Sequence, residues 1–590
     1  MDDLDLLLKN PVIYYIKKNK RPFFVGLSLL VFNNFIDCLT PIVLKMAIDY
    51  LAKGIYQPVE IFKISGMFFS IMATLAITRY GWRVFWGQFH TLSAEDLRNR
   101  IFNQFTVLGP KFFNKNPIGE LMSLITNDVQ SFRNGIGPGL LILVDGISLI
   151  AIIVPMMIYV DFGWTWKCLI LMPLVPFIIS FIMKKIWHNY KDQQDRLSEM
   201  TGYTQEIISG IRTIKTFSQE LNKTKLFNIF SKKYEEATNR MNLVDAFFNP
   251  IMQLSVATGT IILFYVGGTE VISGIKTVGS FIAFQRYINK IIWPMSALGF
   301  GFSQFQKGMA SFSRIKNQLK EIPEFINDEG KEIKEISSIE VKNLSFSYDK
   351  EIKTLQDINF KIVKGDFLGI VGSVGSGKST LINLLCKYLD PTSGVILLNG
   401  EDYNVYKYSE IWKNIKLVPQ ESFLFSETVR NNILYGHGSV IPNEEILLEK
   451  TIDQVGIKNE ILSLPEAFES QLGERGVNLS GGQKQRLALA RGLILHSPVL
   501  LLDDTLSAVD AETEEKIQNE LYQANPNQIR IVITHRLKTV GKANQIIVLE
   551  KGRIEAMGTH LQLLETSKIY RQMADLQGAF HMQDKGLSHE

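Results

Sequence analysis

Apolar positions are placed unevenly along this chain of 590 residues. Over the first 300 or so they gather into long, nearly uninterrupted runs, and from about residue 339 they alternate with polar positions as in a soluble fold. Six runs approach the roughly 20 residues that a helix needs to cross a bilayer. They cover about Phe23–Leu44, Ile61–Arg79, Gly139–Val160, Trp166–Met183, Ile251–Ile272 and Val278–Leu298. The second is the weakest by hydropathy, because Arg79, Arg83 and Gln88 follow closely.

The spacing of these spans predicts more than a bundle. Roughly 60 residues separate spans 2 and 3, and about 65 separate spans 4 and 5, while the other connections are short. The long connections are amphipathic and lack Pro/Gly clusters, so the spanning helices are expected to run on beyond the membrane and turn back through short transverse segments. Basic residues mark the cytoplasmic side. Lys9, Lys17, Lys18, Lys20 and Arg21 precede span 1; Arg98, Arg100, Lys111 and Lys115 lie in the first long connection; Lys184, Lys185, Lys191, Arg196, Arg212 and Lys215 lie in the second. All these regions, the N-terminus and the C-terminal half then face the cytoplasm. Met1-Asp-Asp-Leu-Asp lacks the basic-then-apolar layout of a cleaved signal peptide.

Hydrophobic residues make up 46% of the chain, and the net charge is only +4, which gives no support to a nucleic-acid partner. Cys38, Cys168 and Cys386 have neither metal-site nor disulfide spacing and read as buried small hydrophobes. Inside the spans, Asn33, Asn34, Asp37, Asp145, Arg286 and Lys290 stand out. A charge in hydrocarbon costs at least about 2.5–3.5 kcal/mol, so each must face a partner or water. Asp37, Asp145 and Arg286 either line a translocation path or form interhelical pairs; Lys290 has the length to reach the interface. The prolines at 41, 155, 173, 176, 250 and 294 are compatible with kinked spans.

From Phe312 to Ser338 the chain is charged and reads as a short extension of span 6 followed by a linker. Ile339–Tyr348 then alternates like an edge strand. Phe367–Val371 is a buried strand, and it feeds into Gly372-Ser-Val-Gly-Ser-Gly-Lys378-Ser379-Thr380, which opens a helix. This strand–loop–helix setting makes the G-x-x-x-x-G-K-[ST] pattern a credible phosphate site. The backbone N–H groups of Gly372, Ser373, Gly375, Ser376 and Gly377 converge on phosphates, aided by the helix N-terminus. Lys378 is placed to neutralise the β- and γ-phosphates, with Ser379 as a Mg²⁺ ligand and Thr380 following it. A second buried strand, Val499–Leu502, ends in Asp503-Asp504; Asp503 sits where a P-loop enzyme needs a carboxylate for Mg²⁺.

About a hundred residues beyond the P-loop, Leu479-Ser480-Gly481-Gly482-Gln483 sharpens the reading. Together the two strings resemble the ATP-binding-cassette (ABC) ATPases, and six spans ahead of them resemble the ABC exporters. The resemblance implies an all-α six-helix transmembrane domain of exporter type followed by an α/β P-loop NTPase domain. By that resemblance Tyr348 stacks on adenine, Gln420 meets Mg²⁺ and senses the membrane domain, Asp510 closes the Ser507-Ala-Val-Asp510 D-loop, and His535 bonds the γ-phosphate. Gly473-Glu-Arg475-Gly resembles the exporter-specific stretch before the signature. Phe112–Asp128 and Gln205–Glu220 resemble the two intracellular loops that carry ATPase motion to the membrane. Ser480–Gln483 would cap the ATP held by a second subunit, so the chain is half a transporter. Asp504 departs from the pattern: the family carries a water-polarising glutamate there, one methylene longer, and a misplacement of about 1 Å can cost about 10²-fold in rate.

The Trp293-Pro-Met-Ser-Ala-Leu stretch, Asn127-Asp-Val and the Asp503–Asp510 segment further resemble the Mdl-type bacterial multidrug-resistance-like half-transporters, in particular their MdlA-like members, whose usual partner is MdlB-like. What this implies is ATP-driven, Mg²⁺-dependent export of hydrophobic or amphipathic compounds across the bacterial inner membrane, in contact with membrane lipid and with a second half-transporter, as a heterodimer. A homodimeric exporter and a nucleotide-gated protein without net pumping are the alternatives. The expected domains are 1–310 (membrane), 311–338 (linker), 339–575 (ATPase) and 576–590 (tail).

Overall fold

A computed structural model describes the chain except for residues 1, 55–56, 170–173, 325–329, 349–352, 438–442, 474–475, 508, 510 and 587–590. Its contacts divide it into two compact units: Met1–Thr106 with Asn116–Ile322, and Val107–Lys115 with Pro323–Glu590.

The first unit is helical, and its long helices follow the apolar runs. Lys20–Ala52, Pro58–Val107, Ile118–Val160, Phe248–Ile272 and Val278–Leu319 contain spans 1, 2, 3, 5 and 6. Span 4 falls on Phe162–Leu169 and Leu174–Ser209, either side of residues outside the described set. Lys20–Ala52, Pro58–Val107 and Ile118–Val160 are long and apolar enough to cross a membrane, and Val256–Ile272 is a shorter apolar helix. Val278–Leu319 is diluted by Gln285, Arg286, Asn289 and Lys290, which stand within two turns of one another. The long connections are helical, as the spacing predicts: Pro58–Val107 alone has 50 residues, and the short helices Pro110–Lys115 and Ile211–Thr216 interrupt the two connections.

Intramembrane polar residues find one another. Lys290 Nζ donates to the Asp37 carboxylate at 2.7 Å and to its carbonyl at 2.7 Å, so Lys290 is a pairing residue and not one that reaches for the interface. Arg79 lies 3.8 Å from the other Asp37 oxygen. Buried Asn34 donates to Asp145 and to Ser148, each at 2.8 Å, and Thr78 donates to Asn33 at 3.0 Å. These bonds tie spans 1, 2, 3 and 6 together. Glycines bring the helices that contain spans 3 and 6, Ile118–Val160 and Val278–Leu319, into backbone contact beyond the spans themselves: a Cβ at Gly135 would lie 2.8 Å from the Gly308 Cα. The chain there takes two π-helical turns, Leu124–Asp128 and Gly135–Gly139.

The second unit is α/β. Its strands are β1 (Ser338–Phe346), β2 (Leu355–Val363), β3 (Phe367–Gly372), β4 (Ser393–Leu398), β5 (Glu401–Asp402), β6 (Ile415–Val418), β7 (Val499–Asp503), β8 (Ile529–Ile533), β9 (Gln545–Glu550) and β10 (Arg553–Gly558). One sheet has the order β2-β1-β4-β5 and the other β10-β9-β3-β8-β7-β6. β1 is therefore interior, flanked by β2 and β4, and the edge-strand reading is corrected. Alternation reports one wet face, which an interior antiparallel strand also has. β3 and β8 are buried along their whole length, and β7 except at its final residue, as strands covered on both faces must be.

Candidate functional site

Three parallel strands end together and build the site. β3 pairs with β8, and β8 with β7, in parallel register. Gly372, Asp503 and the Thr534-His535 turn after β8 therefore share the carboxyl edge of the sheet, where open α/β folds place ligands. The chain leaves β3 through a turn that only glycine fits at two points. A Cβ at Gly372 would stand 2.0 Å from the Leu549 carbonyl oxygen, and Gly377 has φ +100° against Leu355. The helix Lys378–Leu385 follows directly.

Lys378 is buried, and its Nζ donates to the carbonyls of Gly372 (2.9 Å) and Ser373 (2.8 Å). The side chain thus loops back over the turn that precedes its helix. Burial pushes the Lys378 ammonium down, against the charges of Asp503, Asp504 and Glu550. Ser376 Oγ is buried with no hydrogen-bond partner among the described residues, an orphan donor in a loop fitted to phosphate oxygens. Ser373 and Gly375 are exposed, Ser379 is exposed, and buried Thr380 meets the Tyr348 hydroxyl at 3.3 Å. The Tyr348 ring is 57% exposed and packs edge-on against Phe346, so one face is open.

Asp503 closes β7 beside this turn. Burial pushes its carboxyl up; a hydrogen bond from Ser379 and the charges of Lys378 and His535 pull it back, while Asp504 adds to the rise. A hydroxyl at the start of the P-loop helix and a carboxylate at the end of β7 are the donor pair that Mg²⁺ takes in P-loop sites, so the residues fit that ion. Asp504 is buried, has φ +46°, and its N–H donates to the Ile533 carbonyl. Its carboxylate accepts from Gln420 Nε2 at 3.4 Å. His535 is half-buried, and its carbonyl accepts from Gln577 at 2.6 Å.

The signature string caps a helix. Ser480 Oγ accepts from the Gln483 N–H at 3.3 Å, and Gln483 Oε1 accepts from the Ser480 N–H at 2.9 Å, ahead of Gly481–Leu493. This reciprocal box fixes the helix start. Gly481 is exposed, with open space where a Cβ would be, and Gly482 is half-exposed. Among the described residues no hydrogen bond joins Ser480–Gln483 to Gly372–Thr380. Asp510, Glu474 and Arg475 lie outside the described residues.

Two contributors escape sequence reading. Glu550, at the end of β9, accepts from the Ser373 hydroxyl at 2.7 Å. Arg536 fastens the loop after β7, donating to the carbonyls of Ser507 (2.8 Å) and Val509 (3.1 Å) and to the buried Glu514 carboxylate (2.5 Å). The only signal for Arg536 is its place next to His535.

A glycine turn, a buried lysine and a strand-end carboxylate on one sheet edge define a P-loop nucleoside-triphosphatase domain. The ABC transporter transmembrane region family matches residues 23–295, and the ABC transporter family matches 355–507. The chain is 31% identical to the Bacillus subtilis (strain 168) "Probable multidrug resistance ABC transporter ATP-binding/permease protein YheI", over 97% of this chain and 98% of that one. It is 33% identical to the "Multidrug resistance-like ATP-binding protein MdlA" of Buchnera aphidicola subsp. Baizongia pistaciae (strain Bp), over 95% and 97%. The fold is that of a bacterial Atm1-family ABC exporter solved with ATP bound, with a TM-score of 0.76 and 23% identity over 94% of this chain and 99% of that one. The chain belongs to the ABC transporters, as an exporter-type membrane domain joined to an ATPase domain whose hydrolysis of ATP is coupled to transport. It is a multi-pass membrane protein with a cytoplasmic ATPase domain.

Proposed function

We propose that this chain is one half of a heterodimeric exporter of hydrophobic or amphipathic compounds in the bacterial inner membrane, with its N-terminus in the cytoplasm and an MdlB-like partner. The membrane domain spans 1–310, the linker 311–338, the ATPase 339–575 and the tail 576–590. What carries the pairing is one contrast: the capped Ser480–Gln483 helix is fully built, while the residue after Asp503 is the shorter acid Asp504. In a two-chain assembly, this chain's signature would complete the partner's ATP site, and its own P-loop would face the partner's signature.

In that arrangement Tyr348 offers its open face to adenine. The turn Gly372–Gly377 and Thr380 wrap the phosphates, Lys378 leaves its two carbonyls for phosphate oxygens, and Ser379, Asp503 and Gln420 hold Mg²⁺. The ion, when bound, neutralises charge between the β- and γ-phosphates. Asp504 orients the attacking water through its reach to Gln420, His535 bonds the γ-phosphate, and Asp510 faces the partner. Closure of the two ATPase domains on ATP shifts the membrane bundle between two states by its differential affinity for them.

The test is hydrolysis by purified assemblies. Co-expression with the MdlB-like chain is expected to give cargo-stimulated ATPase activity that depends on the partner's glutamate. Full activity from this chain alone would establish a homodimer. Passive, ATP-gated flux without accumulation would establish the nucleotide-gated alternative.

A further inference from the structure

The charged residues inside the spans are not all partnered among the described residues. Asp37 is held by Lys290 at 2.7 Å with Arg79 at 3.8 Å. Asp145 is hydrogen-bonded by Asn34. Arg286 is exposed and makes no hydrogen bond or ion pair with any described residue. It lies eight residues into Val278–Leu319, about 12 Å along the helix axis. A guanidinium at that depth is not left facing lipid tails.

The exposed face of the same helix is patterned. Arg286, Asn289, Trp293 and Phe300 recur at spacings of three, four and seven, which places them on one side. Their opposite, Ala283, Phe284, Tyr287, Ile288 and Ile291, is buried against the rest of the unit. Trp293 is 61% exposed and Phe300 50%. The stripe therefore runs from a cation, through an amide donor one turn on, to two aromatic surfaces about 10 and 21 Å further along the axis.

Resting on the exporter reading above, we propose that this stripe recognises anionic amphipaths, with Arg286 and Asn289 holding a phosphate or carboxylate headgroup and Trp293 and Phe300 holding its acyl chain. Charge complementarity argues for it. Guanidinium presents a planar fork that matches both oxyanions in bidentate fashion. A neutral or cationic compound would leave that fork unpaired in a low-dielectric setting.

The experiment uses the full chain in its two-chain assembly, in nanodiscs of zwitterionic phosphatidylcholine. Binding of an oleoyl lysophosphatidic acid is compared with that of uncharged monooleoylglycerol. The unmodified protein is expected to favour the anion by about tenfold to hundredfold, the range of one charged hydrogen bond. Arg286→Gln is expected to abolish that preference and Arg286→Lys to keep most of it, while Trp293→Ala weakens both ligands alike. No preference in the unmodified protein, or an undiminished one in Arg286→Gln, overturns the proposal. So does loss of the two-chain assembly in Arg286→Gln by light scattering, which would assign Arg286 to an inter-subunit ion pair. ATP-driven uptake into proteoliposomes is measured on the same preparation. Discriminating binding without uptake would refute the exporter reading and leave the Arg286 site standing.

Discussion

Gln420 Nε2 stands 3.4 Å from Asp504 Oδ2, joining the loop two residues past β6 to the residue after β7 across one sheet edge. The contact is long for a hydrogen bond. Lengthening the acid by one methylene is expected to change what it reaches. Asp504→Glu should raise phosphate release at the site built on this chain's P-loop, by up to about 10²-fold, since a positional error of about 1 Å carries that order of effect. Asp504→Asn should abolish what activity remains while nucleotide still binds, because Lys378 and the glycine turn are untouched. The measurement is phosphate release in an assembly whose other site is disabled. Equal rates for Asp504 and the glutamate variant would show that the shorter side chain is no handicap.

The seam between the helices Ile118–Val160 and Val278–Leu319 has no room for a methyl group at Gly135 and Gly308. At Gly135 a Cβ would lie 2.8 Å from the Gly308 Cα and 3.3 Å from the Gln304 carbonyl oxygen, all backbone. Backbone cannot swing aside as a side chain does, so Gly135→Ala and Gly308→Ala should each destabilise the helical unit by about 1–3 kcal/mol. Gly268, with open space around it, is the control: Gly268→Ala should lose little. Thermal unfolding in detergent, followed by tryptophan fluorescence, compares the three.

The local geometry of the candidate nucleotide site was legible because such chemistry dictates short local strings. Gly372–Thr380 must follow a buried strand and open a helix, and it does. Ser480 and Gln483 announce a helix start three residues apart, and they form it. What the sequence hid are pairings set by the tertiary fold. Asp37 and Lys290 are 253 positions apart, and Ser373 and Glu550 are 177 apart; nothing local marks either. The interior position of β1 was hidden for a different reason: alternation reports wet and dry faces of a strand, not its neighbours.

Arg536 is expected to govern the loop between Asp504 and Glu514. It donates to two carbonyls of that loop and to Glu514, which is 5% exposed. Losing the guanidinium removes the counter-charge of a buried carboxylate and leaves it the neutral donors Thr539 and Gln518; breaking a fully buried pair costs about 3–5 kcal/mol. The Arg536 side chain is 40% exposed, so solvent screening reduces the expectation to about 1–3 kcal/mol. Arg536→Ala should therefore lower ATPase domain stability by that amount and slow hydrolysis. Arg536→Lys, without the fork, should recover only part of either. Denaturant unfolding and phosphate release measured on the same samples test both effects.

Cys386 follows the P-loop helix and supplies a pH-dependent probe of it. The residue is 2% exposed, and burial pushes its thiol up. The neutral form is the one the folded state keeps, so the native thiolate is scarce even at pH 9 and alkylation should await opening of the helix. The sign for stability follows by linkage. Below about pH 9 folded and unfolded states both hold the proton, and the stabilisation is fully present. Above it the unfolded chain releases the proton while the folded chain keeps it, so stability falls as pH rises. In a background of Cys38→Ser and Cys168→Ser, iodoacetamide should leave the native protein unlabelled at pH 8 and label it after denaturation. Unfolding measured at pH 7.5 and pH 10 should show a smaller alkaline loss in Cys386→Ala than in its parent. Rapid native labelling would mean that the helix after the P-loop opens readily. An equal alkaline loss in the two proteins would trace the effect to other buried groups, among them Tyr403, whose hydroxyl burial also holds protonated.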